Sequence, residues 1–413
     1  MTMKLPALLL PAFYFLAPLA AQVPPGLPEL LLPCLTDAPE PVSQAAVLMD
    51  AAAGTVLYVK NPDEPISPAS LTKLMTMHLV FQEAAARDIS LDEEFSPPRE
   101  SWAINQPPRS SLMFLAAGQR TSLRELLLGL AVPSGNDAAV AAALRFFPTV
   151  RDFTAKMNGE ARRLGLRQTR FVEPSGISEH NITTAGEFIR FCREYIRLHP
   201  ESLTEFHSAP DFAYPKAKNV GEIFRDNPRT IVQPNHNTLL KTFPGVDGLK
   251  TGYIDEAGYN IALTASREGT RFILVILGAP ARPGGDRIRD ADGEKILSWA
   301  FDTFKTIRPV IGAPEPVRLW KGKSNWIRSI PAEGAEFTAP VNRGNSLWLS
   351  TELKDPLIAP IPAGYPLGSL IISDEAGELR RIPLVSAEAY EAGGFFKRFR
   401  DSVQLFFRRL SKK

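Results

Sequence analysis

Three short groups of side chains could carry chemistry. Ser70 and Lys73 stand three apart in Ser70-Leu71-Thr72-Lys73, just after Pro68, where the pattern predicts the start of a helix. On a helix that spacing puts both on one face, one turn apart. A serine hydroxyl is a poor nucleophile until a base takes its proton. A lysine buried beside it can lose its charge, because desolvation lowers its pKa, and so serve as that base. The helix N-terminus also favours negative charge developing nearby. Ser134-Gly135-Asn136 follows Val132-Pro133 and precedes another helix. Alone it reads as a turn with a helix cap. Beside Ser70 it offers a second hydroxyl to relay a proton and an amide to orient Lys73 or a substrate. Lys250-Thr251-Gly252, ahead of a strand pair, sets a cation, a hydroxyl and a glycine on one strand edge, which suits a bound carboxylate with the backbone pressed close. Each group is common by itself. Each lies at the secondary-structure junction its role requires, and the conjunction is more specific than any member.

The elements around these groups read as a mixed α/β region. Two β-like runs, Ala46 to Met49 and Thr55 to Val59, are joined across Ala51-Ala52-Ala53-Gly54 as a hairpin. A helix is expected from Pro68 through Glu83, and others near Leu123–Leu130, Ala138–Phe147, Phe153–Leu164 and Thr184–Leu198. Strands Tyr259–Ala265 and Arg271–Leu277 turn at Glu268-Gly269. Strands at both ends with helices between predict one sheet whose edges are distant in sequence. Lys305–Pro316 carries three prolines and reads as a linker. Beyond it, Val317-Arg318-Leu319-Trp320, Ser346–Ser350, Ser369–Ile372 and Ile382–Val385 alternate with Gly and Pro, the pattern of a small all-β module.

The two ends differ from the middle. Lys4, an apolar run from Leu5 to Ala21 and small residues at Ala17, Ala20 and Ala21 read as an export signal, or else as an uncleaved anchor. At the other end Phe395, Phe396, Phe399, Val403, Phe406, Phe407 and Leu410 recur at spacings of three and four. Seven cations, Lys397, Arg398, Arg400, Arg408, Arg409, Lys412 and Lys413, accompany them against the single acid Asp401. Such a helix lies in the headgroup layer of an anionic membrane; the alternative is a helix docked on its own domain. The expected parts are a signal peptide (1–21), a Pro-rich lead-in (22–41), a catalytic domain (42–306), a small β domain (307–390) and an amphipathic anchor (391–413). A net charge of +2 gives no reason to expect a nucleic-acid partner. Of the two cysteines, Cys192 shares a helical face with Phe188 and Tyr195 and reads as a buried thiol, and Cys34 lacks the small residues of a lipoprotein signal. Nothing suggests a disulfide framework, a metal site or a cofactor.

The whole chain resembles the low-molecular-mass penicillin-binding proteins of the D-alanyl-D-alanine carboxypeptidase type. The resemblance extends beyond the three motifs to Pro68-Ala69, Leu74-Met75-Thr76, Asp137-Ala138, Asp247-Gly248-Leu249, Ala257-Gly258-Tyr259-Asn260 and Glu391-Ala392-Gly393-Gly394-Phe395-Phe396. It implies a transpeptidase-like domain with a central antiparallel sheet flanked by helices, then a small β domain and an amphipathic helix. It also implies that Ser70 attacks the bond between the terminal D-alanines of a wall pentapeptide, with Lys73 as base. The N–H groups of Ser70 and Tyr253 would hold the oxyanion, Ser134 would pass the proton on, and Asn136 would orient substrate. Lys250, Thr251, Gly252 and Arg289 would receive the terminal carboxylate. Arg289 reads equally as a solvated arginine among Arg287, Asp290 and Asp292. β-Lactams would acylate Ser70, and the enzyme would act outside the cytoplasm.

One stretch departs from the pattern. Many members carry Asn-Pro-His-Gly-Leu where this chain has Glu173-Pro174-Ser175-Gly176-Ile177, which puts in doubt a histidine near the site. It invites a rival, since class A β-lactamases place a deacylating glutamate before a proline there. Ile177, where those enzymes carry asparagine, and Gly135, where they favour aspartate, argue against it, and Glu173 reads as structural. A non-catalytic wall-binding scaffold would need a defective motif set, and this one is intact.

Overall fold

The computed structural model describes residues 23–312 and 315–411; the expected export signal lies outside them. Strands β1 (Ala45–Asp50) and β2 (Val56–Lys60) form the hairpin expected from sequence. Four helices follow the nucleophile turn, α1 (Thr72–Ala86), α2 (Leu123–Ala131), α3 (Asn136–Phe146) and α4 (Val150–Arg163), then α5 (Ala185–Leu198). Strands β3 (Val246–Ile254), β4 (Gly258–Arg267) and β5 (Thr270–Ala279) precede helix α6 (Gly285–Thr303). The five strands make one antiparallel sheet in the order β2-β1-β5-β4-β3, so the first hairpin closes against the last three strands.

Period-2 alternation explains why this sheet is buried on both faces. Val47 and Met49 of β1, with Ile273, Val275 and Leu277 of β5, pack under α1–α5. Ala46 and Leu48, with Phe272, Leu274 and Ile276, pack under α6 on the opposite face, against Ile296 and Leu297. Both faces being covered, β1 and β5 read as continuous apolar runs. Cys192 is fully buried in the first of these cores, and Cys34 is a half-buried free thiol.

The expected linker begins later than its composition indicated. Phe304–Ile307 forms strand β6, its Phe304 and Ile307 buried, and the prolines start only at Pro309. In the C-terminal module β7 (Val317–Trp320), β8 (Trp326–Ile327), β9 (Ser329–Pro331), β10 (Phe337–Pro340), β11 (Trp348–Leu353), β12 (Leu357–Ile358), β13 (Pro366–Asp374) and β14 (Gly377–Ser386) build small sheets. They run β6-β10, β8-β7-β12 and β9-β14-β13-β11. Asp50, buried at the end of β1, accepts hydrogen bonds from the hydroxyls of Thr306 (2.8 Å) and Thr338 (2.9 Å), tying the catalytic sheet to the module.

The terminal helix α7 (Phe395–Ser411) has two distinct sides. Asp401, fully buried, accepts from the Lys321 N–H and from Lys397 Nζ, both at 2.7 Å, and Arg408 pairs with Asp355. The polar face therefore docks on the module. The phenylalanine face points away, with Phe396 at 86% exposure. No helix among the described residues is long and apolar enough to cross a membrane.

Candidate active site

The nucleophile turn is more contorted than a plain helix start. Ala69, Ser70 and Leu71 form a single 3-10 turn, and the α-helix begins at Thr72. Ala69 has φ +48°, a left-handed value uncommon outside glycine and a form of local strain that clusters at functional sites. Two glycines permit the packing around it. A Cβ on Gly176, itself at φ +84°, would lie 1.8 Å from the Ala69 carbonyl oxygen. A Cβ on Gly252 would lie 2.9 Å from both the Pro68 carbonyl oxygen and the Ser70 nitrogen. The Lys250-Thr251-Gly252 strand thus runs directly along the nucleophile. Asn260, buried in β4, donates to the Ser67 carbonyl (2.9 Å) and accepts from the Gly278 N–H (2.8 Å), fixing the turn to the sheet.

Lys73 is wholly buried. Its Nζ lies 2.9 Å from Ser70 Oγ, 2.8 Å from Asn136 Oδ1 and 2.5 Å from the Ser175 carbonyl oxygen. Two of these partners are oxygens that can only accept, and the third is a hydroxyl that can also donate. A neutral amine matches that set: two protons go to Asn136 and Ser175, and the lone pair faces the Ser70 proton. Burial lowers the Lys73 pKa to about 7, with Glu173 and Asp137 opposing the shift. The amine is then half deprotonated near neutrality, as a general base requires.

Ser134 sits at φ +62° with its hydroxyl buried and unpartnered among the described residues, available to pass a proton. Asp137, one residue past Asn136, accepts from the backbone N–H groups of Met113, Phe114 and Leu115 at 2.8–3.0 Å and so holds that loop against the start of α3. Burial raises its pKa, while those bonds act against the rise.

Lys250 is buried, its Nζ donating to the Thr251 carbonyl (2.9 Å). Burial first, then the nearby charges of Lys73 and Arg289, hold its pKa well below the ordinary lysine value. No acid is among the groups that act on Lys250, so an anion bound beside it would supply its missing counter-charge. Arg289 is 5% exposed, so it is not the solvated arginine that its neighbours in sequence allowed. It is held by Asp290 (2.7 Å), which also accepts from the Thr238 hydroxyl (2.6 Å). Asp292 faces away, bonded to Val42 and Ser43. Thr251 is buried, and Tyr253, 41% exposed, donates its hydroxyl to Asp255.

Glu173 is saturated within its own loop. It accepts from the Ser175 N–H and hydroxyl, both at 2.6 Å, and from the Gly176 N–H and Asn181 Nδ2, both at 2.7 Å. A carboxylate so engaged shapes the loop that presents the Ser175 carbonyl to Lys73 and has little capacity left to activate water. Sequence reasoning missed the Ser175 carbonyl, Asp137 and Asn260 as site-builders. The pKa of His236 is pushed to about 4 by burial first and then by the charges of Lys250, Arg289 and Lys73. Asp137 and Asn260 left a trace only as members of the stretches that carry the family resemblance, with no role attached.

Comparison with known proteins agrees with this geometry. Residues 34–281 match the D-alanyl-D-alanine carboxypeptidase family, and residues 305–392 match the penicillin-binding protein 5 C-terminal domain. The chain is 33% identical to D-alanyl-D-alanine carboxypeptidase DacC of Escherichia coli, over 90% of both chains. Its fold superposes on penicillin-binding protein 5 of Haemophilus influenzae with a TM-score of 0.74 at 29% identity, covering 86% of this chain and 98% of that one. Penicillin-binding protein D2 of Listeria monocytogenes, solved in its cefotaxime-bound form, aligns with a TM-score of 0.54 at 30% identity, covering 64% of this chain and 98% of that one. A strained serine turn, a buried lysine beside it and a cationic strand edge, on this fold and with these relatives, make the chain a member of the D-alanyl-D-alanine carboxypeptidase family.

Proposed function

We propose that the protein is a serine-type D-alanyl-D-alanine carboxypeptidase that removes the terminal D-alanine from peptidoglycan pentapeptide stems, and that β-lactams acylate the same serine. The observation that carries this reading is the bonding set of Lys73, which suits a neutral amine facing the Ser70 hydroxyl. Ser70 Oγ attacks the carbonyl between the two D-alanines as Lys73 takes its proton. The developing oxyanion meets the N–H groups of Ser70 and Tyr253. Ser134 carries a proton to the departing amine, and Asn136 keeps Lys73 aimed. The terminal carboxylate lies against Lys250, Thr251 and Arg289, supplying the counter-charge that Lys250 lacks. Gly252 lets the strand come close enough to do this. Water then releases the acyl group, and no cofactor takes part. A Ser70→Ala variant that still formed a penicillin adduct, or still released D-alanine from a model peptide, would refute the assignment.

We also propose the placement the ends suggest: export directed by residues 1–21, a catalytic domain over 42–306, a β domain over 307–390, and attachment of 391–413 to an anionic membrane from outside the cytoplasm. The outward phenylalanine face of α7 supports this. Deleting 395–413 should release the protein from membranes and leave hydrolysis of a soluble peptide intact; retention on membranes would assign the anchor to the N-terminal run.

A further inference from the structure

The C-terminal module carries a cavity of about 650 Å³ that the reaction does not use. Trp326, Arg328, Ser324, Glu388 and Tyr390 line it. Trp326 is 55% exposed, a large apolar surface to leave in water, and it is not loose. Its strand β8 pairs with β7, the Arg318 guanidinium lies 5.9 Å from its ring centroid, and its backbone N–H donates to the Ser324 hydroxyl (3.1 Å). The indole is a propped, flat platform.

The polar groups around it are unspent. Among the described residues, neither the Arg328 guanidinium nor the Glu388 carboxylate has a hydrogen-bond or ion-pair partner, although other arginines of the module pair with acids. Tyr390 accepts a bond from the Arg328 N–H (3.0 Å) and has a proton to give. Arg328 also lines an adjoining cavity of about 900 Å³, shared with Ser329. The Ser329 hydroxyl is buried with no partner among the described residues, an arrangement that costs free energy unless something occupies it. The two spaces share Pro316 and Arg328 and so form a groove, with Trp326, Glu388 and Tyr390 on the first part and Ser329 on the second.

We propose that this groove binds the glycan strand of the cell wall, the polymer of N-acetylated aminosugars that carries the peptide stems. A sugar ring has an apolar C–H face for the indole and a rim of hydroxyl and acetamide groups that both give and accept hydrogen bonds. One unpaired arginine and one unpaired glutamate suit a neutral ligand of that kind better than a strongly charged one. The proposal rests on the reading above that the substrate is a wall stem, and it adds that the module holds the strand while the catalytic domain trims it.

The test uses the full chain and neutral oligosaccharides of N-acetylglucosamine as probe, with binding read by calorimetry. Wild type binds; Trp326→Ala and, independently, Arg328→Ala weaken binding by about tenfold, the scale of one stacking contact. Both variants keep wild-type melting, Ser70 acylation by penicillin and hydrolysis of a short soluble D-Ala-D-Ala peptide, while release of D-alanine from stems on intact glycan slows. Absence of binding by the wild type, or binding by both variants as tight as the wild type's, overturns the proposal, including the case in which the groove captures an extended protein segment instead. Failure of the carboxypeptidase reading would show separately, as loss of soluble-peptide hydrolysis in the wild type.

Discussion

The nucleophile turn and the C-terminal module treat polar and apolar groups in opposite ways. Around Ser70 two lysines are buried and close-packed glycines admit no extra atom, so electrostatics act at low dielectric and a lysine pKa falls to about 7. In the module and its helix, tryptophan and phenylalanine stand exposed and charges pair at the surface. Chemistry on one substrate atom needs desolvation and fixed distances. Contact with a large polymer or a lipid layer needs accessible area instead. Substitutions in the first region should therefore disturb reaction and stability together, and those in the second should leave reaction on small substrates untouched.

The largest expected effect is at Gly176. Gly176→Ala drives a Cβ into the Ala69 carbonyl at a left-handed φ, and should cost about 3 kcal/mol or more and abolish β-lactam acylation, read by thermal unfolding and intact mass. An active, stable variant would mean the turn is soft, and the contrast would fail. Next, Asn136→Ala removes one of the two acceptors that hold Lys73; acylation should slow by on the order of 10² to 10³-fold in stopped-flow with a chromogenic β-lactam.

The interface between the regions comes third. Asp50→Ala strands the hydroxyls of Thr306 and Thr338 and should lower stability by about 1–3 kcal/mol, with soluble-peptide turnover nearly unchanged. A large loss of turnover would show that the module shapes the active site. Smallest for the fold is the double change Phe406→Ser, Phe407→Ser on the outer face of α7. Melting should move by less than about 0.5 kcal/mol, while sedimentation with anionic vesicles falls.

Sequence reasoning read the positions of the main elements well where burial follows a simple period. β1 and β5 announce themselves as apolar runs because both faces are covered, and α5 by the stripe that includes Phe188, Cys192 and Tyr195. The three motifs were legible because each lies at an element boundary. What stayed hidden depends on partners distant along the chain. The Ser175 carbonyl reaches Lys73 across 102 residues and is a backbone atom, so no residue type records it. Asn260 braces a turn 193 residues earlier from near the start of a strand. The 3-10 turn at Ser70 follows from Ala69 at positive φ, which its sequence gives no reason to expect. Strand β6 was hidden because the nearby prolines outweighed the two buried residues that mark it.

The most direct test of the account is the pH dependence of Ser70 acylation by a β-lactam, followed by stopped-flow from acid to alkaline pH. A base acts only when unprotonated, so the rate constant should rise with pH and level off above an apparent pKa near 7, and Lys73→Arg should lose that rise together with most of the rate. A rate that ignores pH across neutrality in the wild type, or a Lys73→Arg enzyme with the same profile, would contradict the account.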